Sequence, residues 1–548
     1  MDNMERSAFT AIVAFVLAPV LAHGLWRPLI HVFGPTGTAS LITGAALAIG
    51  GVVVVVNALR PARLLVSLLA AGATVAVGAT YGLSLGAPGF VTLLAVAAAM
   101  AVLVRWLPGR LPAALDGLGR RHKALAALYV VLSVFVVVRT AHLSVFMGDP
   151  TRVDRQVVPG EKFIETHSCL SAYVHAAALA RRGVTNLYDE RWWDGADAFS
   201  PAAAGGEAPY RPFRLDYYAY PPPFLLVMAP LAPLEGDFAA QRALWFGLNG
   251  LLLALGLWVV ARWVAEPNAH RVLLLAPFLF GSLTVLGTLQ VGNFQIAVVV
   301  ISVLAMVAFD GDQPVIGGAL LALAILSKLS PGVLGVVLLA ERRYRAAAWT
   351  AGFGLLYLAL SAFTIGVEPL RSFLSYTLPR INSGEAFAFM DDTTFSKLIN
   401  MAPFGLPFKL QLLGLDVGDP WALGRRIGHA YSVVLIILAI VAVRRSGDRR
   451  ARAMVWMSLL VLAALHSPFA PAYATIGLLW ALSLLAVEVR GRGGAVALVL
   501  LFVGLTVPLL VPDVRLQALS SLLEFALTLG VPLWLILRRA RRPLPETA

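Results

Sequence analysis

Long runs of apolar positions, broken by short polar stretches, repeat from one end of the chain to the other. A run of about 18 residues crosses a hydrocarbon core as a helix. Runs of this kind come first at about residues 8–30, 38–57, 64–86, 89–106 and 124–146. Further candidates follow near 221–234, 243–264, 271–289, 293–309, 315–340, 345–366, 421–443, 453–471, 473–489, 494–511 and 516–537. Several are short, so the pattern predicts an all-α polytopic membrane protein with roughly 12–16 transmembrane helices.

The longest polar interruption, residues 147–220, holds ten of the thirty acids: Asp149, Asp154, Glu161, Glu165, Asp189, Glu190, Asp194, Asp197, Glu207 and Asp216. Within it, Ser171–Arg182 is alanine-rich and stops at Gly183, which predicts an amphipathic helix on the membrane surface. Ser200–Pro212 reads as irregular chain. A second polar loop, 368–400, carries Asp391 and Asp392. The chain therefore divides into an N-terminal block (1–123), a central block (124–366) with the main outer loop, and a C-terminal block (367–548) with the second.

Composition reinforces the pattern. With 59% hydrophobic and 13% charged residues, and a mean hydropathy of +0.80, there is too little charge to cover a soluble globule of 548 residues. The net charge of +13 sits in short clusters at the ends of apolar runs, such as Arg342/Arg343/Arg345, Arg444/Arg445/Arg449/Arg450/Arg452 and Arg538/Arg539/Arg541/Arg542. These are topology signals, and they exclude a nucleic-acid-binding surface. Counting crossings alternately places every large cluster, and both termini, in the cytoplasm, and both polar loops opposite. Met1–Ser7 contains Asp2, Glu5 and Arg6 and lacks the basic start of a secretory signal, so the first run reads as a retained helix. A single cysteine, Cys169, excludes an intrachain disulfide framework.

Gly-rich phosphate loops, metal-spaced His/Cys clusters and nucleophile elbows are absent from the sequence. The chemistry lies in positions instead. Loop carboxylates beside a membrane can serve as a general base, although most loop acids only solvate. Asp216, Tyr218 and Tyr220 stand in LDYYAYPPP directly before an apolar run, where tyrosine rings suit a membrane interface or a sugar-stacking surface. Lys328, in LSKLSP, falls near the middle of an apolar run. An ionisable group at that depth is expensive and marks a functional position by default, here for a lipid-linked phosphate, or else it satisfies carbonyls freed by Pro331. Gln290, Asn293 and Gln295 occupy a short break and either line a cavity or bond helix to helix. His466, followed by prolines and Tyr473, marks a broken helix of the kind tolerated where it lines a cavity.

In order, the stretches RRGVTNLYD, YAYPPPFLLVMAPLAPL, RALWFGLNGLLLAL, GNFQIAVVVISVLAM and GGALLALAILSKLSPGVLGVVLL resemble glycosyltransferase family 87, membrane enzymes of the GT-C architecture. The similarity covers about residues 165–345 and continues beyond mainly as helix pattern. It implies a GT-C helical bundle and an inverting transfer of mannose, or a related hexose or pentose, from a polyprenyl-phosphate donor. The acceptor is a glycolipid or cell-envelope glycan at the outer face of the plasma membrane. In this likeness a carboxylate takes the acceptor proton while cationic and polar groups hold the leaving phosphate.

The sequence departs from the family at two places. Where the family carries its proposed catalytic Asp, this chain reads FIETHSCLSAY, and aligning Tyr173 and Gly183 leaves Ser168 or Cys169 at that position. Glu165 is the nearest carboxylate and the lead base, with Asp149 and Asp154 in reserve. His167, Tyr173, Asp216, Tyr218, Tyr220, Asn293, Gln295, Lys328 and His466 are the donor- and acceptor-binding candidates. The second departure is a set of about four extra apolar runs before the main loop, where the family has one. No cofactor is implied, and a divalent metal, which some GT-C enzymes need, has no ligand set here. The rival readings are a transporter or flippase of lipid-linked sugars and a catalytically lapsed scaffold.

Overall fold

The computed structural model describes residues 123–548, apart from residues 160, 190–191, 194–209, 266–271, 273–274, 444–448, 487, 490, 507–512 and 539–548. The N-terminal block 1–123 up to its last residue, the acids Glu190, Asp194, Asp197 and Glu207, and most of 200–212 lie outside the described residues, as do both termini. Among the described residues every regular element is helical. Four helices are individually long and apolar enough to cross a membrane: Phe238–Val264, Tyr344–Ile365, Pro420–Val443 and Val514–Leu537. The protein is a polytopic, all-helical membrane protein.

Contacts divide the chain into two units. The first comprises Met1–Ser171, Glu207–Phe213 and Pro230–Asn293. Its helices are α1 (Lys123–Gly148), α2 (Lys162–Thr166), the start of α3 (Cys169–Arg181), α4 (Phe238–Ala265), α5 (Ala276–Gly281) and α6 (Leu283–Val291). The predicted single segment near 271–289 is broken: Ser282 is extended (ψ 144°) and caps α6 by accepting from Val285 N–H. This is the ordinary work of serine at an N-cap. α1 packs on α4, α5 and α6. Arg242 of α4, 1% exposed, donates to the carbonyls of Phe146 and Met147 at 3.4 Å and lies 4.0 Å over the Phe213 ring. A cation there satisfies carbonyls that the end of α1 leaves open.

The second unit comprises Ala172–Gly206, Arg214–Ala229 and Phe294–Ala548. Most of α3 is buried, with Tyr173, Ala176 and Leu179 between 0 and 3% exposed. It does not lie on a membrane surface as its sequence suggested. Alanines let it pack on all sides, and it stops at Gly183, whose φ is +76°. The segment near 221–234 is a 3-10 stretch, Pro222–Leu234, interrupted by Pro230 and Pro233, because prolines remove the donors that an α-helix needs. The unit continues through α7 (Gln295–Asp310), α8 (Pro314–Ser327), α9 (Gly332–Ala340) and α10 (Tyr344–Ile365). The second polar loop is itself helical, with α11 (Glu368–Ser372), α12 (Leu378–Ser383), α13 (Thr394–Ile399) and α14 (Leu406–Leu412). Last come α15 (Pro420–Val443), α16 (Arg449–Ala464), α17 (Ile476–Leu485), α18 (Gly491–Thr506) and α19 (Val514–Leu537).

The predicted crossing 315–340 is a hairpin of two short helices. Lys328 is extended (φ −157°, ψ 119°) after α8, and Pro331 precedes α9. Proline disfavours helical geometry at the residue before it, so the break falls here. At 1.5 Å per residue α8 is about 21 Å long and α9 about 14 Å, each short of a hydrocarbon core. Both outer ends lie at one end of the unit. Arg343, just after α9, donates to Phe309 O at the end of α7. The adjacent Asp310 accepts from Arg449 Nε at 2.7 Å and pairs with Arg452 at 3.1 Å, both at the start of α16. Alternate counting had put residues 309 and 341 on opposite faces; the hairpin reverses that. Gly317 and Gly318 let α8 press against its neighbours, since a Cβ on Gly318 would come within 2.7 Å of Trp349 Cβ.

Candidate active site

In the second unit, the run after Arg214 folds into a knot of rings. Tyr173 Oη lies 2.9 Å from Tyr220 Oη, and Phe294 N–H donates to Tyr173 at 3.5 Å. Tyr188 donates to Tyr220 O at 2.8 Å, Tyr217 donates to Tyr188 O at 2.9 Å and Tyr218 donates to Pro221 O at 3.2 Å. Tyr188 and Tyr218 are sealed from solvent, and burial pushes both phenols well above their ordinary range. They anchor the knot as neutral donors. Tyr220 is only half-buried.

Lys328 stands at the tip of the α8–α9 hairpin, with its ammonium 5.9 Å from the Tyr220 ring centre and 5.0 Å from that of Tyr473. Those distances are within cation–π range. The neighbouring Ser327 hydroxyl is fully buried and has no hydrogen-bond partner among the described residues. A half-buried cation flanked by two tyrosines, at a break where backbone is not committed to a helix, suits an anionic group. Asp216, four residues before Tyr220, is half-buried. Gln295 is 2% exposed in the first turn of α7. His466 does not reach this cluster through any contact seen here; its Nε2 lies 2.8 Å from Ser432 Oγ on α15.

The first unit holds the predicted acids. Asp149 accepts from Thr151 N–H at 3.1 Å and from its hydroxyl at 2.6 Å, a local turn closure. Asp154 is paired with Arg155 at 2.8 Å and Arg152 at 3.5 Å on an exposed turn. Glu165, half-buried in α2, has neither kind of contact among the described residues. Close by in sequence, His167 stacks on Phe163 at 4.7 Å and its Nε2 lies 3.4 Å from Cys169 Sγ. Asn293 donates to the same sulfur at 3.4 Å. Gln290, fully buried, accepts from Val157 N–H at 2.7 Å and donates to Ile164 O at 3.1 Å and Gln156 Oε1 at 3.3 Å. Of the two readings of the polar break, Gln290 follows helix-to-chain bonding.

With this geometry in view, residues 218–468 match the sequence model of glycosyltransferase family 87. The match covers just under half of the chain and supports assigning this region to glycosyltransferase family 87, a family of glycosyltransferases. No curated protein and no solved structure matches the chain. The family 87 region opens at Tyr218 in the ring knot and includes Tyr220, Asn293, Gln295, Lys328 and His466. Glu165, His167 and Tyr173 precede it.

Three side chains of the family 87 region escaped the sequence reading. Arg242 was visible only as one letter of RALWFGLNG, because its ring partners Phe146 and Phe213 are remote in sequence. Asn400 accepts from Ala402 and Ala470 N–H and donates to Pro468 O, tying the second loop to the break after α16. Lys409, fully buried, donates to Leu398 O and Ser521 Oγ. No local pattern marks these residues.

Proposed function

We propose that this family 87 glycosyltransferase moves mannose, or a related hexose or pentose, from a polyprenyl-phosphate donor to a glycolipid or cell-envelope glycan at the outer face of the plasma membrane. The reaction is one inverting displacement. The acceptor hydroxyl oxygen attacks the anomeric carbon, the bond from that carbon to the phosphate oxygen breaks, and the lipid phosphate leaves with the electron pair. Glu165 takes the acceptor proton, Lys328 neutralises the departing phosphate, and Asp216, His167 and Tyr220 shape the sugar site. The observation that carries this reading is the cation of Lys328 held against two tyrosines at a helix break inside the matched region. Glu165 is preferred over Asp149 and Asp154 because those two carboxylates are engaged by Thr151 and by Arg152 and Arg155.

Purified protein given a labelled polyprenyl-phosphate sugar and membrane glycolipid should form a new glycosidic bond. Glu165→Gln should lower transfer by about 100-fold or more, the usual scale for removing a general base. Full activity in that variant eliminates Glu165 as base. Movement of the lipid-linked sugar across a vesicle bilayer, with no new glycosidic bond, would replace the transferase reading with a transporter.

A further inference from the structure

One end of the second unit carries more cations than carboxylates among the described residues. Three stretches meet there: the turn between α7 and α8, the turn between α9 and α10, and the start of α16. Asp310, its side chain 7% exposed, pairs with both Arg449 and Arg452, and Glu341 pairs with Arg343 at 2.8 Å. Glu341 also feels the charges of Arg452 and Asp310, so the three stretches form one cluster. Both carboxylates are thereby engaged. Arg342, Arg345 and Arg450 have no carboxylate partner among the described residues, where the exposed Asp312 pairs with none of them.

Two observations separate these arginines from an ordinary basic rim. Arg342 has a φ of +58° in the position after α9 that glycine usually takes, with Arg342 N–H donating to Leu339 O and Arg343 N–H to Leu338 O. A side chain there strains the backbone, so the helix end gains nothing from an arginine. Arg450 Nε is covered by protein and has no hydrogen-bond partner among the described residues; a buried donor without an acceptor is costly, and an anion supplies one. α10 carries the surface on into the bilayer. It is long and apolar enough to cross a membrane, and Arg345, Trp349, Leu356, Leu360 and Phe363 follow the helical period along one exposed face. Tyr344 is exposed as well, and with Trp349 it marks the level of the headgroups. From Trp349 to Phe363 the stripe runs about 21 Å, more than the roughly 15 Å of hydrocarbon in one leaflet. Cations at headgroup level above such a stripe match the phosphate and acyl chain of a lipid with net negative charge.

We propose that this end of the second unit is a binding site for an anionic glycerophospholipid, its phosphate held by Arg342, Arg345 and Arg450 and one acyl chain lying along the exposed face of α10. The site is separate from Lys328, which stands at the other end of α8, about 21 Å of helix away. A zwitterionic lipid brings its own cation to the phosphate and gains less from these arginines.

The test uses the full-length protein in phosphatidylethanolamine vesicles that contain a little phosphatidylglycerol carrying a diazirine next to its headgroup. Light should label peptides that contain residues 341–349 and 449–456. Unlabelled phosphatidylglycerol should displace the label, and excess inorganic phosphate should not. Arg342→Gln, Arg345→Gln and Arg450→Gln, each checked for an unchanged unfolding midpoint, should each cut labelling about fivefold, equivalent to about 1 kcal/mol. The control is Arg425→Gln/Arg426→Gln, which removes two exposed arginines near the opposite end of α15 and should leave labelling unchanged. Three results overturn the proposal. Undiminished labelling in the folded variants puts the lipid elsewhere, an equal loss in the control makes the effect one of total charge, and displacement by inorganic phosphate makes the site one for a free ion.

Discussion

Gln290→Leu should be among the most destabilising single substitutions in the first unit. The amide is fully buried and makes three hydrogen bonds, at 2.7, 3.1 and 3.3 Å, to Val157 N–H, Ile164 O and Gln156 Oε1. Losing the bonds to Ile164 O and Gln156 Oε1 costs about 1 kcal/mol each, and orphaning the buried Val157 N–H costs about 1–3 kcal/mol. Gln156 is itself only 2% exposed and Val157 3%, so water reaches neither without opening the fold, whereas Ile164 is half-buried. The expected loss is roughly 3–5 kcal/mol, a large part of the 5–15 kcal/mol that holds a domain folded. At roughly 2–4 °C per kcal/mol, thermal unfolding in detergent should fall by at least about 6 °C. Gln290→Glu is the control. Its ionised carboxylate keeps the bond from Val157 and loses both donations, so it should fall between wild type and Gln290→Leu or below both, and recover as pH drops and the acid regains a donor. An unfolding midpoint for Gln290→Leu within about 1 °C of wild type would refute the reasoning.

Gly292 has a φ of +69°, and a Cβ there would sit 3.3 Å from both Leu170 Cβ and Trp245 Cδ1. Gly292→Ala should cost about 1–2 kcal/mol from the backbone alone and more from packing; Gly183→Ala, at φ +76° with nothing within 4 Å, isolates the backbone contribution, and equal midpoints for the two would discard the packing argument. Burial pushes the Lys409 ammonium down to about 7, against an upward pull from Glu524. Unfolded lysine titrates near 10.4, so between about pH 7 and 10 the unfolded chain binds more protons and stability should rise with pH. Lys409→Met should flatten that rise in pH-dependent thermal unfolding, and an unchanged slope would show that Lys409 is not its source.

The helices were legible because a bilayer demands long apolar runs, and residues 420–443, 344–365 and 514–537 follow their predicted spans closely. The same demand hid the hairpin. Residues 315–340 are apolar enough and long enough to pass for one crossing, since hydropathy adds up along a chain whether or not its axis turns. Two residues carried the warning. Lys328 was read as a costly charge at depth, and Pro331 as a source of freed carbonyls; together they mark a place where the chain reverses. The contacts that betray the reversal are non-local: Asp310 meets Arg449 across 139 positions, and no window of sequence contains both. Tyr218 shows the opposite limit. An interface or sugar-stacking role fits its composition, yet Tyr188, Trp193 and Phe224 close over it, leaving Tyr220 as the ring that faces the lysine.

The hairpin changes the argument about Lys328 itself. In a continuous span a lysine near the midpoint would have to reach a distant interface along its own stem or pair within the hydrocarbon. At the tip of a hairpin it stands where two helices end, beside the rings of Tyr220 and Tyr473, and where unbonded backbone already calls for a polar environment. Cation–π contact of this kind is worth about 0.5–1 kcal/mol at an exposed site and about 2 when desolvated, less than the cost of burying an ammonium. The rings therefore orient the ammonium at the break without offsetting the cost of its burial.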